Sequence, residues 1–321
     1  MITDAKQTTG IRTMARRKSV KYETKRKAKI VVFILTLIVI ICGRFTDRFD
    51  ETPVTSPVNY YISDEEVRVH IIDVGQGSSA LIQCGKDGIL IDGGEREYGK
   101  DLITYINRAG VTKLKYVVAS HPHTDHIGGL LNVLDVYEVE NIIMPKLSSI
   151  NTPTTKTYEK FLLKIKEKGI KAIAAKFGEK YYINNTVLET FAPLEQDKDL
   201  NNMSVVCRIS AFGTSFLFPG DASISELNDF YKRGTDFSCD VIAAAHHGSN
   251  ESLHKNFLTR CNPDIVVYSC GEDNSYGHPH EEVVDFFDDL GTKSYRTDIV
   301  GSLLFTCDED GYMVQEKGRT R

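Results

Sequence analysis

The chain has 321 residues, enough for one large domain or two average ones, and its apolar content supports a full core. Residues 1–29 hold ten basic side chains against Asp4 and Glu23, a net of +8; the whole chain is −5, so the remainder carries −13. An acidic remainder argues against tight, nonspecific binding to nucleic acid, which normally needs a basic surface. Seven scattered cysteines with no Cys-x-x-Cys pair give no disulfide framework, and those in apolar runs read as buried thiols.

In chain order, a basic tail (1–29) precedes an apolar run uninterrupted by charge, Ile30 to Cys42. The run is short against the ~20 residues that span a bilayer comfortably, but its basic flank can snorkel. No small-residue cleavage site follows it. It is therefore expected to be an uncleaved single-pass anchor over 30–43, with the tail cytoplasmic and the remainder extracytoplasmic at the cell membrane. Residues 44–65, with Pro53 and Pro57 among polar residues, read as a linker. One domain is expected over 66–321, and no obligate protein partner is inferred.

Within that domain, 67–74, 79–84 and 88–94 predict three strands joined by tight turns. Residues 99–109 place Leu102, Ile103 and Ile106 on one side of a helix, and 116–120 predicts a strand buried on both faces. Further helices are predicted near 126–135, 155–169, 223–233, 253–261 and 280–290. Further strands are predicted over 141–144, 187–192, 203–212, 214–219, 239–245, 264–270, 293–297 and 301–306. Two runs of strands, each with its own helices, imply two sheets packed face to face with helices outside.

The most informative stretch is Ser120-His121-Pro122-His123-Thr124-Asp125-His126-Ile127-Gly128-Gly129. Four candidate metal ligands fall within six residues, directly after an apolar strand. His121 and His123 alternate along an extended segment and can point the same way, while Asp125 and His126 open the next helix. Imidazole with carboxylate suits zinc, and also manganese or iron. Asp221, in Phe216-Leu217-Phe218-Pro219-Gly220-Asp221, has a plainer role available as a helix N-cap. His280 could likewise cap the helix beginning near Glu281, with Pro279 setting the turn.

HPHTDHIGG resembles the His-x-His-x-Asp-His signature of the metallo-β-lactamase superfamily. The resemblance implies an α/β fold of layered αββα type, with the active site between the sheet edges. It assigns His121 and His123 to a first metal, Asp125 and His126 to a second, and Asp221 to a bridging position. It makes His247, of Ala245-His246-His247-Gly248, the last ligand, with His246 a neighbour able to contact substrate; the register leaves both histidines open. Asp92, before Gly93-Gly94, is implied to orient a ligand from behind.

Many members carry another histidine between the first motif and the Gly-Asp, but this chain has Asn201-Asn202-Met203-Ser204-Val205-Val206 there. With VGQG, HHGS and Tyr276-Gly277-His278-Pro279-His280, that departure is similar to the metallo-β-lactamase-like domain of ComEC-type competence proteins and its stand-alone relatives. The similarity runs over residues 67–307. His278 is a candidate for metal ligation or substrate contact. The implied activity is a membrane-anchored hydrolase binding two zinc ions, acting on a phosphodiester through a metal-activated hydroxide, with Asp125, His246 and Asp221 as catalytic groups. Nucleic acid and a phosphorylated envelope polymer are both admissible substrates, although the charge does not favour the first. Amide or lactone hydrolysis, and a non-catalytic metal-binding surface module, are the alternatives.

Overall fold

The computed structural model describes residues 66–318. The basic tail, the anchor and the linker expected over 1–65 lie outside the described residues. Among those described, no helix is long and apolar enough to cross a membrane.

The first half of the domain opens with three antiparallel strands, β1 (Val67–Ile71), β2 (Ala80–Cys84) and β3 (Asp87–Ile91). Helix α1 (Gly99–Ala109) then crosses to β4 (Lys113–Val118), which runs parallel to β3. The short helix α2 (Thr124–Ile127) and helix α3 (Leu130–Val136) lead to β5 (Glu138–Met144); α4 (Lys156–Glu167) leads to β6 (Lys171–Ala174). The second half comprises β7 (Glu179–Ile183), β8 (Thr186–Phe191), β9 (Val206–Ala211), β10 (Thr214–Phe218), α5 (Ile224–Arg233), β11 (Val241–Ala243), α6 (Lys255–Cys261), β12 (Ile265–Tyr268), α7 (Glu281–Asp289) and β13 (Lys293–Arg296). The short α8 (Thr297–Val300), β14 (Leu303–Asp308) and β15 (Gly311–Glu316) return the chain to the first sheet.

One sheet has the order β15-β14-β1-β2-β3-β4-β5-β6, the other β13-β12-β11-β10-β9-β8-β7. Side chains alternate across each strand, so each sheet has an inner and an outer apolar face. Val69, Ile82 and Phe305 of the first sheet meet Ile209, Phe216 and Val267 of the second in a shared core. Leu81, Leu90 and Val117 face outward onto Leu102, Ile106, Leu134 and Phe161 of the first helical layer. Leu217, Ile242 and Val266 face Leu227, Phe257 and Phe287 of the other. The layered αββα sandwich expected from the sequence is therefore the observed architecture.

Helix α1 shows why the periodicity was informative. Leu102 and Ile106 stand one turn apart and are buried, each contributing roughly 2 kcal/mol by leaving water. Gly110 ends the helix in the left-handed conformation at φ +83°, which costs glycine least. The six described cysteines are free and buried, as small apolar groups would be.

Two predicted elements differ. The single helix expected near 126–135 is divided into α2 and α3, because Gly128 and Gly129 pass tightly against the loop after β3. The strand expected from 203 starts at Val206, since Asn201–Met203 form a single 310 turn.

Candidate metal centre

Strands β3 and β4 are parallel neighbours, so their C-terminal ends place Asp92 and Ser120-His121 side by side. In the opposite sheet β10, β11 and β12 are also parallel, and their C-terminal ends deliver Asp221, His246-His247 and Ser269 to the same edge. The two edges are tied together by the Val205 N–H donating to the Ser120 carbonyl at 2.8 Å.

The loop Asp92-Gly93-Gly94 clasps the His-rich turn through its backbone: Gly93 N–H donates to the His126 carbonyl and Gly129 N–H to the Gly94 carbonyl. A Cβ at Gly129 would stand 2.0 Å from the Gly93 carbonyl oxygen, so the approach requires glycine. On the far side, Gly77 of VGQG packs against the Asp125 carbonyl, where a Cβ would come within 2.5 Å.

Each of the central histidines is held through Nδ1. His126 Nδ1 donates to Asp92 Oδ2 at 2.8 Å, and the same carboxylate accepts from the Ser120 hydroxyl and amide. His247 Nδ1 donates to the Ser269 carbonyl at 2.9 Å. His121 Nδ1 lies 3.1 Å from Ser120 Oγ, whose own proton goes to Asp92. These bonds leave Nε2 of His126 and His247 as free acceptors, while His121 Nε2 lies 3.0 Å from His123 Nδ1.

The freed atoms converge on Asp221, which is 2% exposed. Its Oδ1 is 3.1 Å from His126 Nε2 and 3.7 Å from His247 Nε2; its Oδ2 is 3.6 Å from His121 Nε2 and 3.7 Å from His246 Nε2. Asp125 Oδ2 lies 3.4 Å from His247 Nε2. Two donor groups result, Asp125, His126, Asp221 and His247 in one, and His121, His123 and Asp221 in the other, with the ligand atoms of each within 4.8 Å of one another.

His126 Nε2, His247 Nε2 and Asp221 Oδ1 are buried without a hydrogen-bond partner. Buried acceptors aimed at one another are costly unless something electropositive lies between them. Nitrogen and carboxylate oxygen donors fit a borderline transition-metal ion, zinc or its neighbours. The charges agree. Burial opposes ionisation of Asp221, but His126, His247 and His121 outweigh it and hold the carboxyl well below the usual range. Burial also opposes a charge on His126, yet Asp221, Asp92 and Asp125 raise its pKa well above the ordinary imidazole value, so the carboxylates favour a positive charge at Nε2, whether a proton or a metal ion. The residues present therefore fit a metal.

Asp221 is not a helix cap: Ser223 occupies that position before α5. The Asp221 amide instead donates to Ser204 Oγ at 3.0 Å, within the stretch that stands where many members carry a histidine. His246 and His247 both have left-handed backbones, at φ +50° and +57°. Such strain in adjacent non-glycine residues is characteristic of functional sites. The pair sends His247 into the first donor group and leaves His246 half-buried beside Asp221 Oδ2. Burial pushes the His246 pKa down, against the opposing pull of Asp221.

His278 is outside both donor groups. Its Nδ1 faces Gln76 Nε2 at 3.4 Å, and its ring lies 5.5 Å from that of His246 and 6.0 Å from that of His247. Burial, then the neighbouring His247 and His246, lower its pKa to about 4. His280 is at the N-cap position of α7 but does not cap with its side chain; Nδ1 accepts from Asn250 N–H and Nε2 donates to the Tyr276 carbonyl. Nothing in the residue pattern singles out Ser120 or Ser269 for these roles; only Gln76, between two glycines of VGQG, carries a local signal.

Paired sheets with a His/Asp cluster at one edge define a metallo-β-lactamase-fold protein. A sequence profile of the Metallo-beta-lactamase superfamily matches residues 72–272, and the chain belongs to that superfamily. It is similar to ComE operon protein 3 of Bacillus subtilis (strain 168), at 26% identity over 267 residues covering 77% of this chain and 34% of that protein. It is also similar to Competence protein ComA of Neisseria gonorrhoeae, at 29% identity over 257 residues covering 79% of this chain and 34% of that protein. The resemblance to competence proteins is thus borne out, and the chain spans about a third of the length of these relatives. Among solved structures, the metallo-beta-lactamase fold protein YhfI from Bacillus subtilis gives a TM-score of 0.49 at 15% identity, covering 75% of this chain and 99% of that one.

Proposed function

We propose that this chain is a phosphodiester hydrolase that holds two zinc ions, with nucleic acid or a phosphorylated envelope polymer as substrate. The observation that carries the reading is the division of Asp221, with one carboxylate oxygen facing His126 and His247 and the other facing His121 and His246. On this reading His121, His123 and Asp221 hold one ion, while Asp125, His126, Asp221 and His247 hold the second. Manganese or iron would suit the same donors. When bound, such ions lower the pKa of water toward neutrality and polarise a phosphoryl or carbonyl oxygen.

The protein's own contribution is orientation and proton handling. Asp92 and the Ser269 carbonyl hold His126 and His247 with Nε2 turned inward. His246, half-buried with Nε2 3.7 Å from Asp221 Oδ2, is the group placed to take up a proton and return it to a leaving group. His278 is assigned to substrate contact rather than to metal. The test is a hydrolysis screen of the metal-loaded chain on bis(p-nitrophenyl) phosphate and on a lactam. Cleavage of the diester supports the reading, and cleavage of the lactam alone overturns it.

The anchor over 30–43 places the domain outside the cytoplasmic membrane on this account. Protease added to intact cells then digests or sheds the domain, and a fully protected domain recovered in the soluble fraction contradicts the assignment.

A further inference from the structure

Beside the donor groups the chain carries an aromatic ring that is largely exposed. Tyr276 is 65% exposed, yet its ring lies nearly parallel to that of His278, 19° between planes and 5.5 Å between centroids. His278 is buried and in turn touches the His246 ring, so an unbroken row of rings runs from the surface to Asp221.

The loop that presents Tyr276 is held at several points. The Asn274 carboxamide donates to the Gly271 and His278 carbonyls and accepts from the His278 amide. The His280 ring joins the Tyr276 carbonyl to the Asn250 amide, and Gln76 joins the Gly271 amide to the His278 ring. Ordering a loop this thoroughly around an exposed tyrosine leaves its free face fixed in position, which lowers the entropy cost of binding a flat group against it.

We propose that Tyr276 is a stacking platform for a nucleobase, placing the adjoining phosphodiester of a single-stranded oligonucleotide at the metal centre. The proposal rests on the phosphodiesterase reading and narrows it. Of the two substrate classes, a nucleic acid has planar groups beside each phosphate, whereas a polyol-phosphate polymer has none to stack. Base–aromatic stacking acts on the π-face that every base carries, so the Tyr276 contribution does not itself depend on the net charge of the domain.

The sequence contains no tryptophan, so Tyr276→Trp creates a single fluorescent reporter at the platform. The probes are a short oligothymidylate and a chain of equal length with abasic sugars, each mixed with the metal-loaded protein. Tyr276→Ala should raise KM for oligothymidylate about tenfold, the scale of one lost base stack, with kcat nearly unchanged and the abasic chain unaffected. Tyr276→Phe should restore the parent KM, and oligothymidylate alone should quench the Tyr276→Trp emission. An unchanged KM in Tyr276→Ala, or an equal loss on both chains, overturns the proposal. Should the parent cleave bis(p-nitrophenyl) phosphate but neither chain, the nucleic-acid substrate falls while the phosphodiesterase reading stands; should it cleave none of the three, that reading falls, and the fluorescence decides the platform by itself: quenching by oligothymidylate but not by the abasic chain sustains it, and no quenching overturns it.

Discussion

The Asp92 carboxylate accepts a hydrogen bond from His126 Nδ1 at 2.8 Å while also holding the Ser120 hydroxyl and amide. A residue that touches neither donor group's centre thereby sets the direction of one ligand atom. Asp92→Asn keeps the left-handed backbone at φ +57°, which asparagine tolerates, but discards the charge. Metal affinity should fall about 10- to 100-fold, measured by competition with a chromophoric chelator, with little change in melting temperature. Unaltered affinity would show that Asp92 only supports the loop.

Asp221→Asn removes the charge shared by the two donor groups at nearly constant volume. Because Ser223 and not Asp221 stands at the N-cap of α5, neither Asn nor Ala at 221 touches the helix cap. Turnover should drop by about two orders of magnitude or more for both variants, and bound metal should fall below the parent's content. Steady-state kinetics with elemental analysis checks this; an active Asp221→Asn with full metal content would remove the bridging role.

Gly129→Ala should be far more damaging than its chemistry suggests. The added methyl meets the Gly93 carbonyl oxygen at 2.0 Å, and backbone must move to admit it. A loss of about 3 kcal/mol or more in urea unfolding is expected. Gly110→Ala is the control: its Cβ meets nothing within 4 Å, and only the left-handed backbone resists, for about 1 kcal/mol. Equal effects at the two sites would mean that the clasp between Gly93 and Gly129 does not constrain the fold.

Glu226, in the first turn of α5, is 4% exposed, and neither carboxyl oxygen has a hydrogen-bond partner. Burial, joined by Asp229 and Asp197, raises its pKa well above 4.5. The native state then binds a proton that the unfolded chain releases, so stability falls as pH rises from the ordinary carboxyl range through the raised value. Glu226→Gln should be more stable than the parent at neutral pH, with a gap that widens as pH increases and vanishes in acid. Melting temperatures across pH at saturating metal test the sign, and a parent more stable than the variant at high pH contradicts it.

The elements most legible in the sequence are those with a clear apolar periodicity. Strands β1 to β4 and helix α1 announced themselves because apolar residues recur with the strand or helix period. Strands β6, β7 and β15 did not, and all three are edges of their sheets. Lys171-Ala172-Ile173-Ala174 and Gly311 to Glu316 are largely exposed and carry too few apolar residues to stand out. The donor residues were legible as types and spacings, because four of them fall within six positions. Their support was not: the Ser269 carbonyl that aims His247 is a backbone atom, invisible to any pattern of side chains. The choice between His246 and His247 depended on two left-handed residues in succession, which the sequence Ala-His-His-Gly does not encode in its periodicity.

The proposed bridging of two metal groups by Asp221 is open to direct measurement. Elemental analysis of the purified full chain after reconstitution with zinc, beside Asp221→Asn handled identically, tests it most directly. The parent should hold two ions per chain and the variant clearly fewer, with the same loss in diester hydrolysis. A parent that retains no metal after reconstitution with zinc or manganese would contradict it.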